Sequence, residues 1–287
     1  MRYLEHNKID AAKWDACIDK AVNAIPYAYS WYLDIVTNKS WAAIVLDDYK
    51  AVFPVPLKSY VLFKKVYQPF FVQQLGLFAR DKKHFSALPD CLLLLEQKQK
   101  KIYLHLNTQN HLGDASKRIT HHLALQSGYE TLYKNYGSTV KKNLKMLKNK
   151  GVQVSSEVTI PEFISFIKKH VGDKVSELKQ KDFKTLEQLV RECVKREKGF
   201  LRCTKNKVGD ILSTVFFLHS NHFLIYLVAG SSPEGRKLQS MTFLLDSMIQ
   251  HYANTNTTLD FEGSMIPGIA NFYKSFGGME ISYPVLK

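Results

Sequence analysis

Between Ser138 and Gly151, apolar residues fall at Val140, Leu144 and Leu147, while Lys141, Lys145 and Lys148 fall on another side. The i, i+4, i+7 spacing predicts a surface helix that starts at Ser138, stops at Gly151 and keeps its lysines in solvent. A second helix is predicted over Asp182 to Lys198, with Phe183, Leu186, Leu189, Val190, Cys193 and Val194 on its buried side and Gly199 ending it. Three β runs follow, Phe200 to Thr204, Ile211 to His219 and His222 to Ala229. They are separated by Lys205-Asn206-Lys207 and Ser220-Asn221, breaks suited to antiparallel hairpins. Next come a polar loop from Gly230 to Arg236, a long helix from Lys237 to Ala253 and a strand over Thr257 to Phe261. A helix over Pro267 to Phe276 and a strand over Met279 to Val285 close the chain.

The first half is less regular. Its patterns predict helices near Ala11 to Val22 and Trp31 to Thr37, strands near Trp41 to Leu46, Ala51 to Pro56 and Phe71 to Phe78, then a helix and a strand through Leu106. At 287 residues the chain divides most simply into two α/β domains, 1–130 and 131–287.

Apolar residues make up 45% of the chain and aromatics 12%, enough for packed cores and too many for a disordered chain. No apolar run reaches the roughly 18 residues of a membrane span, and Met1 to His6 lack the apolar stretch of a secretory signal, so a cytoplasmic location is expected. Cys17, Cys91, Cys193 and Cys203 have no CxxC pairing, which leaves reduced structural thiols. Adjacent His121 and His122 would face opposite ways on a strand, so no metal site is expected. The net charge of +14 favours polyanionic partners: nucleic acid, phosphorylated cofactors or anionic lipid headgroups. Thr131 to Ser156 holds no acidic residue, which makes Lys141, Lys142, Lys145 and Lys148 the candidate nucleic-acid or anion contacts.

Candidate chemistry concentrates at Leu259-Asp260-Phe261-Glu262-Gly263-Ser264. Asp260 and Glu262 are two apart, so a strand running through both would point them to one face. Glu262, at the strand end, is the candidate base or amine anchor. Gly263 would permit a sharp exit and Ser264 could bind substrate, while both carboxylates could instead cap the following turn.

The order helix, three antiparallel strands, loop, helix, strand, helix, strand, together with the Asp260 to Ser264 block and Phe276-Gly277, resembles GNAT-type acyltransferases and, among them, Fem-like peptidyltransferases over Tyr129 to Gly278. The lysine-rich Tyr133 to Gly151 segment and Gln73-Gln74-Leu75-Gly76 resemble other Fem-like segments. The resemblance implies an α/β (α+β) fold of tandem GNAT-like (acyl-CoA N-acyltransferase) domains with mixed, largely antiparallel sheets. It also implies transfer of an acyl or aminoacyl group from acyl-CoA or aminoacyl-tRNA to an amine, with no tightly bound cofactor.

In this scheme backbone N–H groups of Leu227 to Gly230 meet the acyl carbonyl, and Gly230, Ser231, Gly235, Arg236 and Lys237 hold the donor phosphates. Only Gly235 matches the Gln/Arg-x-x-Gly-x-Gly/Ala pattern of a CoA loop, with Ser232 and Lys237 at its other marked positions. The Fem-like pattern Phe-Lys-x-x-Phe-Gly is altered, because Tyr273 follows Phe272 and the lysine comes one place later at Lys274. Tyr273 is thus a candidate proton shuttle or orienting hydroxyl beside Glu262 and Asp260. Lys274, Ser264, Tyr226 and Gln74 are candidate substrate contacts. Two alternatives stay open, an ordinary acyl-CoA-dependent N-acetyltransferase and an inactive anion- or nucleic-acid-binding relative. The acceptor stays open among a cell-wall peptide, a lipid headgroup, a protein and a small amine.

Overall fold

The computed structural model of the chain describes residues 1–60, 63–113, 115–148, 150–171, 178–220, 222–263 and 265–287. Two compact units emerge, one of Met1–Ile119 with Ile281–Lys287 and one of Thr120–Glu280. The division falls earlier than the 130/131 boundary expected from sequence because residues 120–124 belong to a strand of the second sheet. The last residues belong to the first unit because Val285 and Leu286 pair with His105 and Leu104.

In the first unit β1 (Arg2–Glu5) leads through α1 (Ala11–Asp19) and α2 (Ser30–Thr37) to β2 (Trp41–Leu46), β3 (Ala51–Ser59), β4 (Lys64–Val66) and β5 (Phe78–Ala79). The sheet order is β1-β2-β3-β4, with β5 also on β3, all antiparallel. β2 is buried throughout, and Asp10 caps α1 by accepting from Lys13 N at 3.0 Å. Pro54 and Pro56 sit inside β3, which a fully paired strand would not tolerate. They fit because β5 pairs only with Ala51 and Val52 and β4 only with Leu57 to Ser59, so the stretch between has no strand partner on that edge among the described residues.

The expected strand over Phe71 to Phe78 does not form, and only Phe78 joins the sheet. Phe71 at φ 64° and Gly76 at φ 98° turn the backbone out of extended conformation. Leu75 forms only a single parallel bridge with Leu106, through Leu75 N to His105 O at 2.8 Å and Asn107 N to Leu75 O at 2.7 Å, and side-chain amides add to it: Asn110 Oδ1 accepts from Leu77 N at 2.7 Å and Asn107 Nδ2 donates to Leu75 O at 3.0 Å.

After α3 (Leu88–Lys98), β6 (Leu104–His105) buries His105 between Gln73 O, 3.1 Å from Nδ1, and the Tyr103 hydroxyl, 3.1 Å from Nε2. A carbonyl can only accept, so Nδ1 carries the proton and Nε2 accepts from Tyr103. Burial, with Arg118 nearby, pulls the imidazole from its ordinary 6.5 down to about 4. Because the folded value lies below the unfolded one, His105 favours folding fully above pH 6.5 and loses that contribution as pH falls toward about 4. Urea denaturation across this window should show a loss shallower by roughly 2–3 kcal/mol in a His105→Gln variant than in the native chain.

The second unit runs β7 (Lys117–Ala124), α4 (Tyr129–Lys134), α5 (Ser138–Lys148), β8 (Gln153–Ser155), α6 (Ile160–His170), α7 (Gln180–Lys195), β9 (Gly199–Lys205), β10 (Ile211–His219) and β11 (Phe223–Ser231). It continues through α8 (Pro233–Leu238), α9 (Ser240–Tyr252), β12 (Thr258–Asp260), α10 (Pro267–Lys274) and the start of β13 (Met279–Leu286). The strand order is β7-β12-β11-β10-β9-β8, antiparallel except for the parallel β11–β12 pair. Val215 and Phe217 face a core formed with α5, α9 and α10, whereas Phe216 meets Phe163 of α6 on the opposite face. Helices therefore cover both faces, and β10 is buried on both, apolar without interruption from Val215 to Leu218.

The helix expected over Lys237 to Ala253 is divided. Gln239 takes the left-handed conformation at φ 59°, ending α8 and starting α9. All four cysteines are free and buried, and burial lifts the Cys17 thiol to about 11 and Cys91 to about 12, so both stay protonated.

Candidate active site

The parallel ladder between β11 and β12 is short. It pairs Phe223 with Thr258, Leu224 with Leu259 and Ile225 with Asp260, where β12 ends. β11 runs on from Tyr226 to Ser231, bonded to β10 on its far side and unpaired by any strand on the β12 side among the described residues. Alternate backbone N–H and C=O groups along this stretch thus face an open splay. A bulge accompanies it: Phe216 pairs with Val228 and Phe217 with Tyr226, leaving Leu227 as the extra residue.

Aromatic rings wall the splay. Phe261, fully buried just beyond β12, stacks on Tyr273 of α10 at 5.0 Å, and Tyr226 of β11 meets the Tyr273 ring edge-on at 6.1 Å. Burial is the main cause that pushes the Tyr273 phenol above its ordinary range, reinforced by the negative charges of Glu262 and Asp260. Burial, then Tyr273, also raises the Tyr226 phenol. Both hydroxyls remain protonated at neutral pH and can donate.

The two carboxylates have separated roles. β12 stops at Asp260, so the strand that would place both on one face does not reach Glu262. Asp260 is 5% exposed, and its Oδ1 accepts from Thr120 Oγ1 at 2.5 Å and from Glu262 N at 2.8 Å. His122 Nε2 lies 3.4 Å from its other oxygen without forming a hydrogen bond. Asp260 is thereby committed to holding the turn. Glu262 follows in the left-handed region at φ 57°, a costly conformation for a non-glycine residue, and its side chain is partly exposed at the rim. Lys274 is half exposed and paired with Glu280 at 2.8 Å.

The polar loop expected over Gly230 to Arg236 is nearly absent, because β11 extends to Ser231 and α8 begins at Pro233. Ser232 caps α8 by accepting from Gly235 N at 3.0 Å. Gly235 is buried against β10, where a Cβ would stand 2.0 Å from Leu212 O. Its backbone approach is thus to a neighbouring strand. Glu234 adds a negative charge to the first turn, and Arg236 folds back to donate to Ser231 O at 2.5 Å, while Lys237 is exposed. Ser231 Oγ bonds Ser213 Oγ at 2.7 Å, and Gly230 is buried against α6, where a Cβ would meet Ile167 at 3.1 Å.

On α5, Val140, Leu144 and Leu147 are buried as the spacing predicts, and Lys142 and Lys145 are exposed. Lys141 lies over the Tyr133 ring and donates to Lys134 O at 2.9 Å. The Lys148 side chain and Ser264 lie outside the described residues. Gln74 belongs to the first unit, buried, donating to Gln73 Oε1 at 2.6 Å and accepting from Thr108 N at 3.0 Å.

The structure thus gathers Tyr226, Glu262, Tyr273 and Asp260 at one strand end. Sequence reasoning missed Thr120 and His122 as the partners that fix Asp260, and fully buried His121, whose ring lies 5.7 Å from Tyr273. The signal was the β-type run Lys117 to Ala124. A separate groove of about 540 Å³ at Leu112, Gly113 and Val285 to Lys287 lies in the first unit, and its described lining carries no acidic, histidine or cysteine side chain.

The fold, a helix-covered mixed sheet that opens along the parallel β11–β12 pair, is similar to those of several solved proteins. The chain is similar to the crystal structure of FemX, with a TM-score of 0.69 and 14% identity over 99% of this chain and 96% of that one. It is similar to L-PGS from Bacillus licheniformis at a TM-score of 0.58 and 10% identity, covering 96% and 90%. It also resembles the C-terminal domain of a putative lysylphosphatidylglycerol synthetase from Agrobacterium fabrum at 0.54 and 9% identity, covering 94% and 91%. No protein-family model and no curated protein matches the sequence.

Proposed function

We propose that this protein transfers an acyl or aminoacyl group from a polyanionic donor to an amine at the β11–β12 splay. The observation that carries the reading is the early end of the ladder at Ile225 and Asp260, which leaves β11 main-chain groups open beside Tyr226, Tyr273 and Phe261. Preorganised N–H donors in such a low-dielectric notch suit the oxyanion formed when an amine nitrogen attacks an acyl carbonyl carbon. The bond to the donor oxygen or sulfur then breaks. Glu262, partly exposed at the rim, orients the amine and takes its proton, and the Tyr273 hydroxyl donates to the oxyanion or the departing atom.

Aminoacyl-tRNA is the donor class favoured here. The start of α8 is satisfied by its own chain through Ser232, carries Glu234 and lacks an extended arginine, so little remains to cradle a CoA pyrophosphate. The acid-free α5 presents Lys142 and Lys145 to solvent. The name lysylphosphatidylglycerol synthetase, borne by a structural neighbour, fits an aminoacyl group as cargo.

Donor binding tests this directly. Aminoacyl-tRNA should bind with an affinity that falls steeply as salt rises, and Lys142→Gln with Lys145→Gln should lower the log–log slope by about one per lysine. Acetyl-CoA should leave the thermal midpoint unchanged. A CoA-induced rise abolished by Arg236→Ala would assign the donor to CoA instead, and failure of both donors to bind would remove the transferase reading.

A further inference from the structure

We propose that the β3–β4 hairpin of the first unit docks on an anionic lipid bilayer. Its strands pair Leu57 with Val66, Lys58 with Lys65 and Ser59 with Lys64, and Tyr60 N closes the end by donating to Phe63 O at 2.8 Å. Tyr60 and Phe63 are each 43% exposed, an unusual setting for two large rings at a hairpin end. They lie 5.0 Å apart and nearly parallel, and the two residues between them in sequence, Val61 and Leu62, add no charge.

Lysines surround the rings. Lys65 Nζ stands 5.4 Å and Lys58 Nζ 6.0 Å from the Tyr60 centroid, and Lys101 Nζ stands 4.8 Å from that of Phe63. Lys101 is held there because Val66 N donates to Lys101 O at 2.9 Å and Tyr103 N to Val66 O at 3.1 Å. No aspartate or glutamate occurs from Tyr49 to Arg80 or from Gln97 to Asn110, so nothing in either segment neutralises the cluster. The cations also pull the Tyr60 phenol below its ordinary range, Lys65 most of all.

Charge complementarity selects an anionic partner, and ring geometry selects which one. Recognition of single-stranded nucleic acid uses free ring faces on which bases stack. Here the two rings stack on each other and cations stand over them, which leaves mainly their edges exposed. Rings presented this way suit the headgroup level of a bilayer, where amphipathic aromatics settle and flanking lysines reach lipid phosphates. Phe70 and Tyr103, 41% and 39% exposed in the same unit, add to its exposed aromatic surface.

Sedimentation of the full chain with vesicles tests the proposal. The protein should pellet with vesicles of phosphatidylcholine containing one part in about three of phosphatidylglycerol, and stay in solution with phosphatidylcholine alone. Tyr60→Ser with Phe63→Ser should lower the partition coefficient about tenfold. Lys58→Gln, Lys65→Gln and Lys101→Gln should lower it about fivefold per residue, and arginine at the same positions should restore it. Thermal unfolding without vesicles confirms that each variant is folded. The proposal is overturned if the native chain ignores anionic vesicles. It is equally overturned if folded hairpin variants bind as the native chain does while Lys142→Gln with Lys145→Gln abolishes binding. Oligonucleotide binding lost with Tyr60 and Phe63, in the absence of vesicle binding, would assign the hairpin to nucleic acid instead.

Discussion

A Gly235→Ala variant is expected to lose about 3 kcal/mol of stability, at the upper end of what overpacking costs. The added Cβ would stand 2.0 Å from Leu212 O and 2.9 Å from Ser240 Oγ. The first is a backbone atom of a central strand and cannot swing away. It also accepts from Ser232 N at 2.9 Å, so moving it breaks the entry into α8. Ser240 is tied as well, through Ser213 Oγ at 2.6 Å. Urea denaturation and donor titration at a temperature where the variant is folded distinguish the two roles assigned to this glycine. A stability near that of the native chain with lost donor affinity would restore Gly235 to a phosphate-contacting role.

Glu262→Gln should reduce transfer by about 10²- to 10⁴-fold, the usual contribution of a positioned acid or base, without loss of stability. Tyr273→Phe should reduce it by about 10²-fold through removal of one donor to the oxyanion. Asp260→Ala should behave differently, because Thr120 Oγ1 and Glu262 N lose their acceptor inside the protein. Its main effect is a destabilisation of about 2–3 kcal/mol, with activity lost through displacement of the Glu262 turn. Single-turnover rates and unfolding midpoints measured on the same three variants check this. A Glu262→Gln enzyme retaining more than about a tenth of the native rate would exclude that carboxylate from proton transfer.

Where the chain's own periodicity governs an element, the sequence was legible. Ile211 to His219 forms a strand with the expected limits, and Val140, Leu144 and Leu147 are the buried face of α5. Misreadings arose where long-range packing overrode local pattern. Phe71 to Phe78 looks like a strand, yet Asn107 and Asn110 capture its backbone from more than 30 residues away in sequence. The 237–253 helix breaks at Gln239 because α8 is packed against Leu212 of β10 before α9 begins.

The same distinction runs through the candidate site. The sequence by itself determined the element order from α7 to β13 apart from the break at Gln239, the basic helix α5 and the presence of two carboxylates before Gly263-Ser264, since these depend on residues near one another in the chain. Only the tertiary structure decided that Asp260 is buried and bonded while Glu262 lies partly exposed at the rim, because the Thr120 hydroxyl that binds Asp260 comes from 140 residues earlier. It also decided that Gly235 serves strand packing and that β11 and β12 part company after Ile225. Burial and register are properties of elements brought together, and no local pattern encodes them.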